Sequence, residues 1–284
     1  MDKSLTAGKL RYRAGQVEAE AKREWVPALA RVGLLAKGVS FGIVGGLAVA
    51  LAAGEGGKAT SREGALATIS DETGGKILLV LLALGFAAYA LWRFSEPFLE
   101  DGDDDGVKRY AKWAGWIGRG LIYAGLTYGT VELLIDAGAN QSQNAKAHKA
   151  AAELLSWPAG TWLVAIAGAC IAGAGLYNGY RGVARKFKDK WNTGEMSSAA
   201  LKWGTRVGVV GLLARMVVLG LIGAFLVKAA VEYDPKEAIG LDGALQKLIH
   251  QSYGPWLLGL TAAGLVAYGL FCLVEARYRD VKPR

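Results

Sequence analysis

Residues 253–280 read YGPWLLGLTAAGLVAYGLFCLVEARYRD, and from Leu248 to Val274 no Asp, Glu, Lys or Arg interrupts the chain. A helix that crosses a bilayer needs roughly 20 apolar residues, and this run supplies them. Four other stretches read the same way: Val32–Gly54 with Lys37 as its one charge, Trp113–Val131 with Arg119, Leu154–Tyr180 with none, and Val207–Val227 with Arg215. A sixth, Ile77–Trp92, reaches spanning length when it takes in Thr73–Lys76, whose lysine stem can snorkel. Buried helices of a soluble protein would need polar helices around them, and the sequence has none. The expected fold class is an all-α membrane protein with six transmembrane helices.

Composition agrees. Glycine fills 40 of 284 positions, about twice the usual share of roughly 7 %, while only 20 % of residues are charged. Nine tryptophans and six prolines exclude a low-complexity or collagen-like chain, and two cysteines within apolar runs, Cys170 and Cys272, exclude a disulfide scaffold. Free buried cysteines behave as small hydrophobes.

Basic residues set the orientation. The arm to Arg31, the connections 93–112 and 181–206, and the tail from Arg277 together hold 22 Lys and Arg, against six in the three alternate connections. Positive charge collects on the cytoplasmic side, so both termini are expected there, in a bacterial inner membrane. The net charge of +8 is then a topology signal and a match for anionic lipids. It does not point to nucleic acid, since no basic and aromatic face gathers outside the apolar runs. The first 24 residues are polar and show no cleavage pattern, so the first span is expected to act as an uncleaved anchor.

Internal repeats organise the chain. Gly33-Leu-Leu-Ala-Lys37 aligns with Gly115-Trp-Ile-Gly-Arg119 and Gly211-Leu-Leu-Ala-Arg215; Gly85-x-x-x-Tyr89 aligns with Gly173-x-x-x-Tyr177 and Gly264-x-x-x-Tyr268. The predicted organisation is a cytoplasmic arm over 1–24 and three pseudo-equivalent helical hairpins over 25–102, 110–190 and 200–281, as parallel repeats about an axis along the membrane normal. Glycines four apart, such as Gly38, Gly42 and Gly46, or Gly125 and Gly129, suit close helix packing.

These G-x-x-x-[K/R] helix starts, G-x-x-x-Y helix ends and the final segment resemble the bacterial domain-of-unknown-function 1206 family. That resemblance covers roughly Trp25 to the C-terminus and implies a membrane protein built of three two-helix repeats. The chain departs from the pattern at Lys37, where the family has arginine. The resemblance implies no activity.

Candidate chemistry is sparse. His148 and His250 stand on separate outer connections without a metal-ligand cluster around either, and no catalytic motif is present; no enzyme activity, cofactor or metal is expected. Asp101-Gly-Asp103-Asp-Asp105-Gly106 copies the first half of a calcium loop, but Lys112 takes the place of its bidentate glutamate, so a solvated acidic connection is expected. Outer segments near 62–69, 145–155 and 236–249 have helical amphipathic spacing and are expected as short interfacial helices.

Ionisable residues inside spans carry most weight. Lys37, Arg119 and Arg215 occupy equivalent places, a few turns from the cytoplasmic ends, where their side chains can snorkel. They are also candidates for a cationic ring that binds a lipid headgroup or an anionic solute. Each lies level with the tyrosine of its own hairpin, which predicts the pairs Lys37–Tyr89, Arg119–Tyr177 and Arg215–Tyr268, with Glu96 and Glu275 as counter-charges in the outer two units. Arg119 lacks a matching acid and is expected to be the most available to an anion. Glu132 and Lys228, at one depth further out, are expected to form an ion pair or to share a water-filled site. The reading is a non-enzymatic structural or lipid-interacting membrane module with membrane lipids as partners; the alternative is an anion-selective transporter or channel built on the ring.

Overall fold

The structure is a computed structural model that describes residues 3–54, 66, 74–99, 106–135 and 143–281, with side chains from residue 25 onward except at 99, 143 and 144. Among the described residues the chain is helical. The polar arm and the first apolar run form one 50-residue helix, α1 (Lys3–Ala52). It is followed by α2 (Gly75–Leu99) and α3 (Val107–Ile135). A short α4 (Gln143–Leu155) precedes α5 (Gly160–Val183). Then come α6 (Ser198–Val231), a short α7 (Leu241–Ile249) and α8 (Gly254–Tyr278).

Five of these, α1 from Trp25 and α2, α5, α6 and α8, are long and apolar enough to cross a membrane. The remaining long helix, α3, has the length, at 29 residues. Its apolar content is diluted by Arg119, by glycines at 115, 118, 120, 125 and 129, and by Tyr123 and Tyr128. Two of the three outer segments form short helices, α4 and α7; the segment 62–69 lies outside the described residues except for Leu66, which is buried. The acidic stretch 101–105 also lies outside them.

The long helices pack in the order α3–α2–α1–α8–α6–α5. Hairpin contacts exist in the first and third units, α1 with α2 and α6 with α8, but α3 and α5 share no extended interface. Of the three pseudo-equivalent hairpins expected, the first and third are packed as hairpins and the middle one is not. The glycine stripe of α5 is already committed to α6. A Cβ on Gly168 would meet the Gly223 carbonyl oxygen at 2.8 Å, and one on Gly175 would meet the Met216 carbonyl oxygen at 3.1 Å. Small residues at this spacing bring helix axes close, so α5 is drawn to α6 and away from α3.

The glycine repeats fix the two hairpins that do form. A Cβ on Gly33 would lie 2.5 Å from the Tyr89 Cβ, and one on Gly211 would lie 2.5 Å from the Tyr268 Cα. Gly85 and Gly264 answer from the opposite helix, each against an alanine methyl, Ala36 or Ala214. These reciprocal crossings set the tyrosine of each returning helix one helical turn from the cation of the outgoing one.

Between α5 and α6 the chain runs through two 3-10 turns, Lys186–Lys190 and Thr193–Glu195. Phe187 and Trp191 are buried against Phe271, with ring centroids 5.2 and 6.1 Å away. The Asn192 amide donates to the Tyr278 carbonyl at 2.8 Å, and the Asp280 amide donates to the Lys190 carbonyl at 2.9 Å. This connection is therefore tied to the end of α8. Ser197 caps α6 by accepting from the Ala200 amide.

Candidate functional site: cations in an aromatic shell

At Lys37 the backbone crossings just described bring four helices together. Its side chain is buried, and its Nζ lies 5.3 Å from the ring centroid of Tyr89 on α2, 5.3 Å from Tyr268 on α8 and 6.0 Å from Tyr123 on α3. The negative faces of aromatic rings attract a cation at such distances. Arg215 on α6 reaches the same Tyr268 from its other end. Its Nη1 donates to the hydroxyl at 2.7 Å, and its Cζ lies 4.8 Å from the ring and 5.5 Å from Phe41. Phe41 meets Tyr268 edge-on at 4.9 Å.

Tyr89 has a matching environment. Its ring faces Lys37, and its hydroxyl accepts from Arg93 Nη2 at 2.8 Å. Arg93 is itself buried, with its Cζ 3.9 Å from the Trp92 ring, and it is paired with Glu96. Two tyrosines thus each hold Lys37 at the ring and an arginine at the hydroxyl. Among the described residues neither Lys37 nor Arg215 makes an ion pair. Their charge is carried by π faces and phenol oxygens instead of carboxylates.

Of the three predicted pairs, Lys37–Tyr89 and Arg215–Tyr268 are in contact and Arg119–Tyr177 is not. Tyr177 is 59 % exposed and neighbours Tyr180, with ring centroids 6.5 Å apart. Arg119 is exposed as well. The middle hairpin is not packed, so its cation and tyrosine stay apart, and the three cations do not form a symmetric ring. Glu96 and Glu275 were expected beside Lys37 and Arg215, but they pair with Arg93 and, at 3.3 Å, Arg279. Each partner lies within one turn on the same helix, closer than the cation of the other helix. The expected Glu132–Lys228 pair is also absent. Lys228 Nζ lies 3.0 Å from Glu237 and 3.6 Å from Glu232, because α3, which carries Glu132, is not a neighbour of α6.

Sequence reasoning missed Arg93, Tyr123 and Phe41. Arg93 ends an apolar run and reads as a connection charge, yet it stands four residues after Tyr89, on the same helical face. Phe41 and Tyr123 likewise stand four residues after Lys37 and Arg119.

Near the Arg93, Lys190 and Arg279 ends of the helices further cations gather. Arg279 also lies over Trp92, with its Cζ 5.1 Å from the ring. Lys190 is exposed, but enough protein surrounds its amine that desolvation, followed by the charges of Arg279 and Arg181, pulls its pKa down to about 8. At the other end of the bundle, a cavity of about 420 Å³ lies beneath α4, walled by Ala151, Leu154, Val164, Ile222 and Leu226, with Lys146 at its lining. Among the described residues no three His, Cys, Asp or Glu side chains come together as a metal site.

An all-helical chain with five apolar helices of spanning length, enclosing cations in an aromatic shell, defines a class of polytopic membrane protein. The particular family follows from comparison: residues 32–98, 114–185 and 210–279 match the Domain of Unknown Function (DUF1206) family, and the chain belongs to it. Each matched segment takes in two of the long helices. The chain is also similar to "Uncharacterized protein YxxB" of Bacillus subtilis (strain 168), at 27 % identity over 267 residues, covering 94 % of this chain and 95 % of that one. No solved structure matches.

Proposed function

We propose that the protein is a non-enzymatic, lipid-interacting structural module of the bacterial inner membrane, with six spans, both termini cytoplasmic and α3 as the sixth span. One observation carries this reading: Lys37 and Arg215 are packed against tyrosine, in a shell that joins α1, α2, α3, α6 and α8. A transport ring would instead present its cations to a hydrated central path. Intramembrane cations are costly unless partnered, and here the partners hold helices together. The apolar cavity under α4, within the size range of ligand sites of about 300–1,000 Å³, supports contact with lipid chains.

The test is a proteoliposome flux screen over small anions, combined with identification of co-purified lipids by native mass spectrometry. Retained lipid with no flux above protein-free vesicles is the expected result. Saturable anion flux that disappears in Arg119→Gln would overturn the reading in favour of an anion transporter.

A further inference from the structure

The middle unit keeps the residues that make the crossings of the other two and leaves them unused. A Cβ on Gly33 or Gly211 would collide with a tyrosine backbone, but one on the equivalent Gly115 would meet only the Arg119 side chain, at 3.6 Å. Gly85 and Gly264 each abut an alanine, whereas a Cβ on Gly173 would enter open space. Since α3 packs on α2 and α5 on α6, the two long helices of the middle unit share no extended interface, and a gap is left at this junction.

Charge collects at one end of that gap. Arg119 on α3 lies within electrostatic reach of Arg93 on α2 and Arg181 on α5, and Arg181 within reach of Lys190. Arg93 and Arg279 are committed to Glu96 and Glu275. Among the described residues, Arg119, Arg181 and Lys190 make no ion pair. Beside these cations α3 and α5 expose Leu121 and Leu176, at 62 % and 68 %. Unpaired cations next to exposed leucines, on a helix whose Gly173 faces open space, match an amphiphile with an anionic head.

We propose that an anionic phospholipid of the cytoplasmic leaflet lodges between α3 and α5. Its phosphate contacts Arg119 and Arg181, Lys190 stands at the entrance, and an acyl chain runs along α5 past Gly173. The inference rests on the lipid-interacting reading and names its ligand class and seat. A lipid suits the gap better than a soluble anion because the exposed side chains of Leu121 and Leu176 beside it are apolar. Guanidinium groups favour phosphate through paired, charge-assisted hydrogen bonds.

The experiment titrates delipidated, full-length protein in neutral detergent with phosphatidylglycerol or phosphatidylcholine of identical chains, read by native mass spectrometry. Phosphatidylglycerol is expected to bind at least about tenfold more tightly, a margin equivalent to losing or gaining about 1.4 kcal/mol. The double variant Arg119→Gln/Arg181→Gln should remove that preference and leave phosphatidylcholine unchanged. Gly173→Phe, which fills the seat without altering charge, should weaken phosphatidylglycerol binding similarly, while Arg277→Gln, an exposed charge on α8, should leave it intact. An equal loss in Arg277→Gln would reduce the preference to diffuse surface charge and overturn the site. Displacement of the lipid by inorganic phosphate would assign the cations to a soluble anion, and a lipid-independent dimer lost in Gly173→Phe would assign the gap to a second copy. Lipid retention without headgroup preference would overturn the seat alone. Retention of no lipid of either kind would overturn the lipid-interacting reading itself.

Discussion

Tyr89 and Tyr268 do two jobs with one side chain, offering a ring to Lys37 and a hydroxyl to an arginine. A hydrogen bond to a charged group contributes about 1.5–3 kcal/mol, and removing the hydroxyl leaves a guanidinium, buried at Arg93 and half-buried at Arg215, short of an acceptor. Tyr89→Phe and Tyr268→Phe should each destabilise the protein by about that much, measured by thermal unfolding in detergent. Tyr177→Phe, at an exposed site, should change stability by less than about 0.5 kcal/mol. Equal effects at all three positions would show that the hydroxyl contacts contribute nothing. The pairing of Arg215 with Tyr268 could be read from depth along antiparallel helices. The reach of Lys37 across to Tyr268 could not, because spacing within one repeat carries no information about which repeat lies beside it. Arg93 escaped notice for a different reason: at the edge of an apolar run, a snorkelling charge and a buried one look the same in sequence.

At the scale of the helix, one glycine pattern has two outcomes. Gly33 and Gly211 meet tyrosine backbones, and Gly115 does not. Overpacking a close-packed contact costs typically about 1–3 kcal/mol. Gly33→Ala and Gly211→Ala should therefore lower the melting temperature clearly, whereas Gly115→Ala should leave it nearly unchanged. A loss at Gly115 equal to that at Gly33 would mean that α3 and α5 do pack together. Helix positions were legible because charge-free runs mark them, and the short α4 and α7 followed from amphipathic spacing. The open middle unit was not legible. Its glycines, arginine and tyrosine are all in register, and what decides the outcome is competition: α5 offers Gly168 and Gly175 to α6, and α3 has nothing as close-fitting to bid against it.

For the whole molecule, the proposed orientation makes a direct forecast. In a variant lacking Cys170 and Cys272, a single cysteine at exposed Ser252 should react with an impermeant maleimide added to intact cells. A cysteine at exposed Gly194, in the connection after α5, should react only after the cells are opened. The reverse pattern would place both termini outside.

The packing order also governs how the chain can be made. The principal partner of α1 is α8, the most distant from it in sequence of the helices described above. Gly33 can find Tyr89 as soon as α2 is in place, but Lys37 cannot meet Tyr268 until α8 has been inserted. Contacts so distant in sequence form late, and synthesis proceeds at only about 5–20 residues per second. For roughly ten seconds or more at that pace, Lys37 must be borne by Tyr89, by its own reach to the lipid headgroups, or by the insertion machinery. Arrival of α8 seals the shell, and the backbone bonds from Asp280 to Lys190 and from Asn192 to Tyr278 fasten its end to the connection after α5. Biogenesis thus runs against a deadline set by one lysine, whose permanent site is complete only when a helix more than 200 residues downstream has been made.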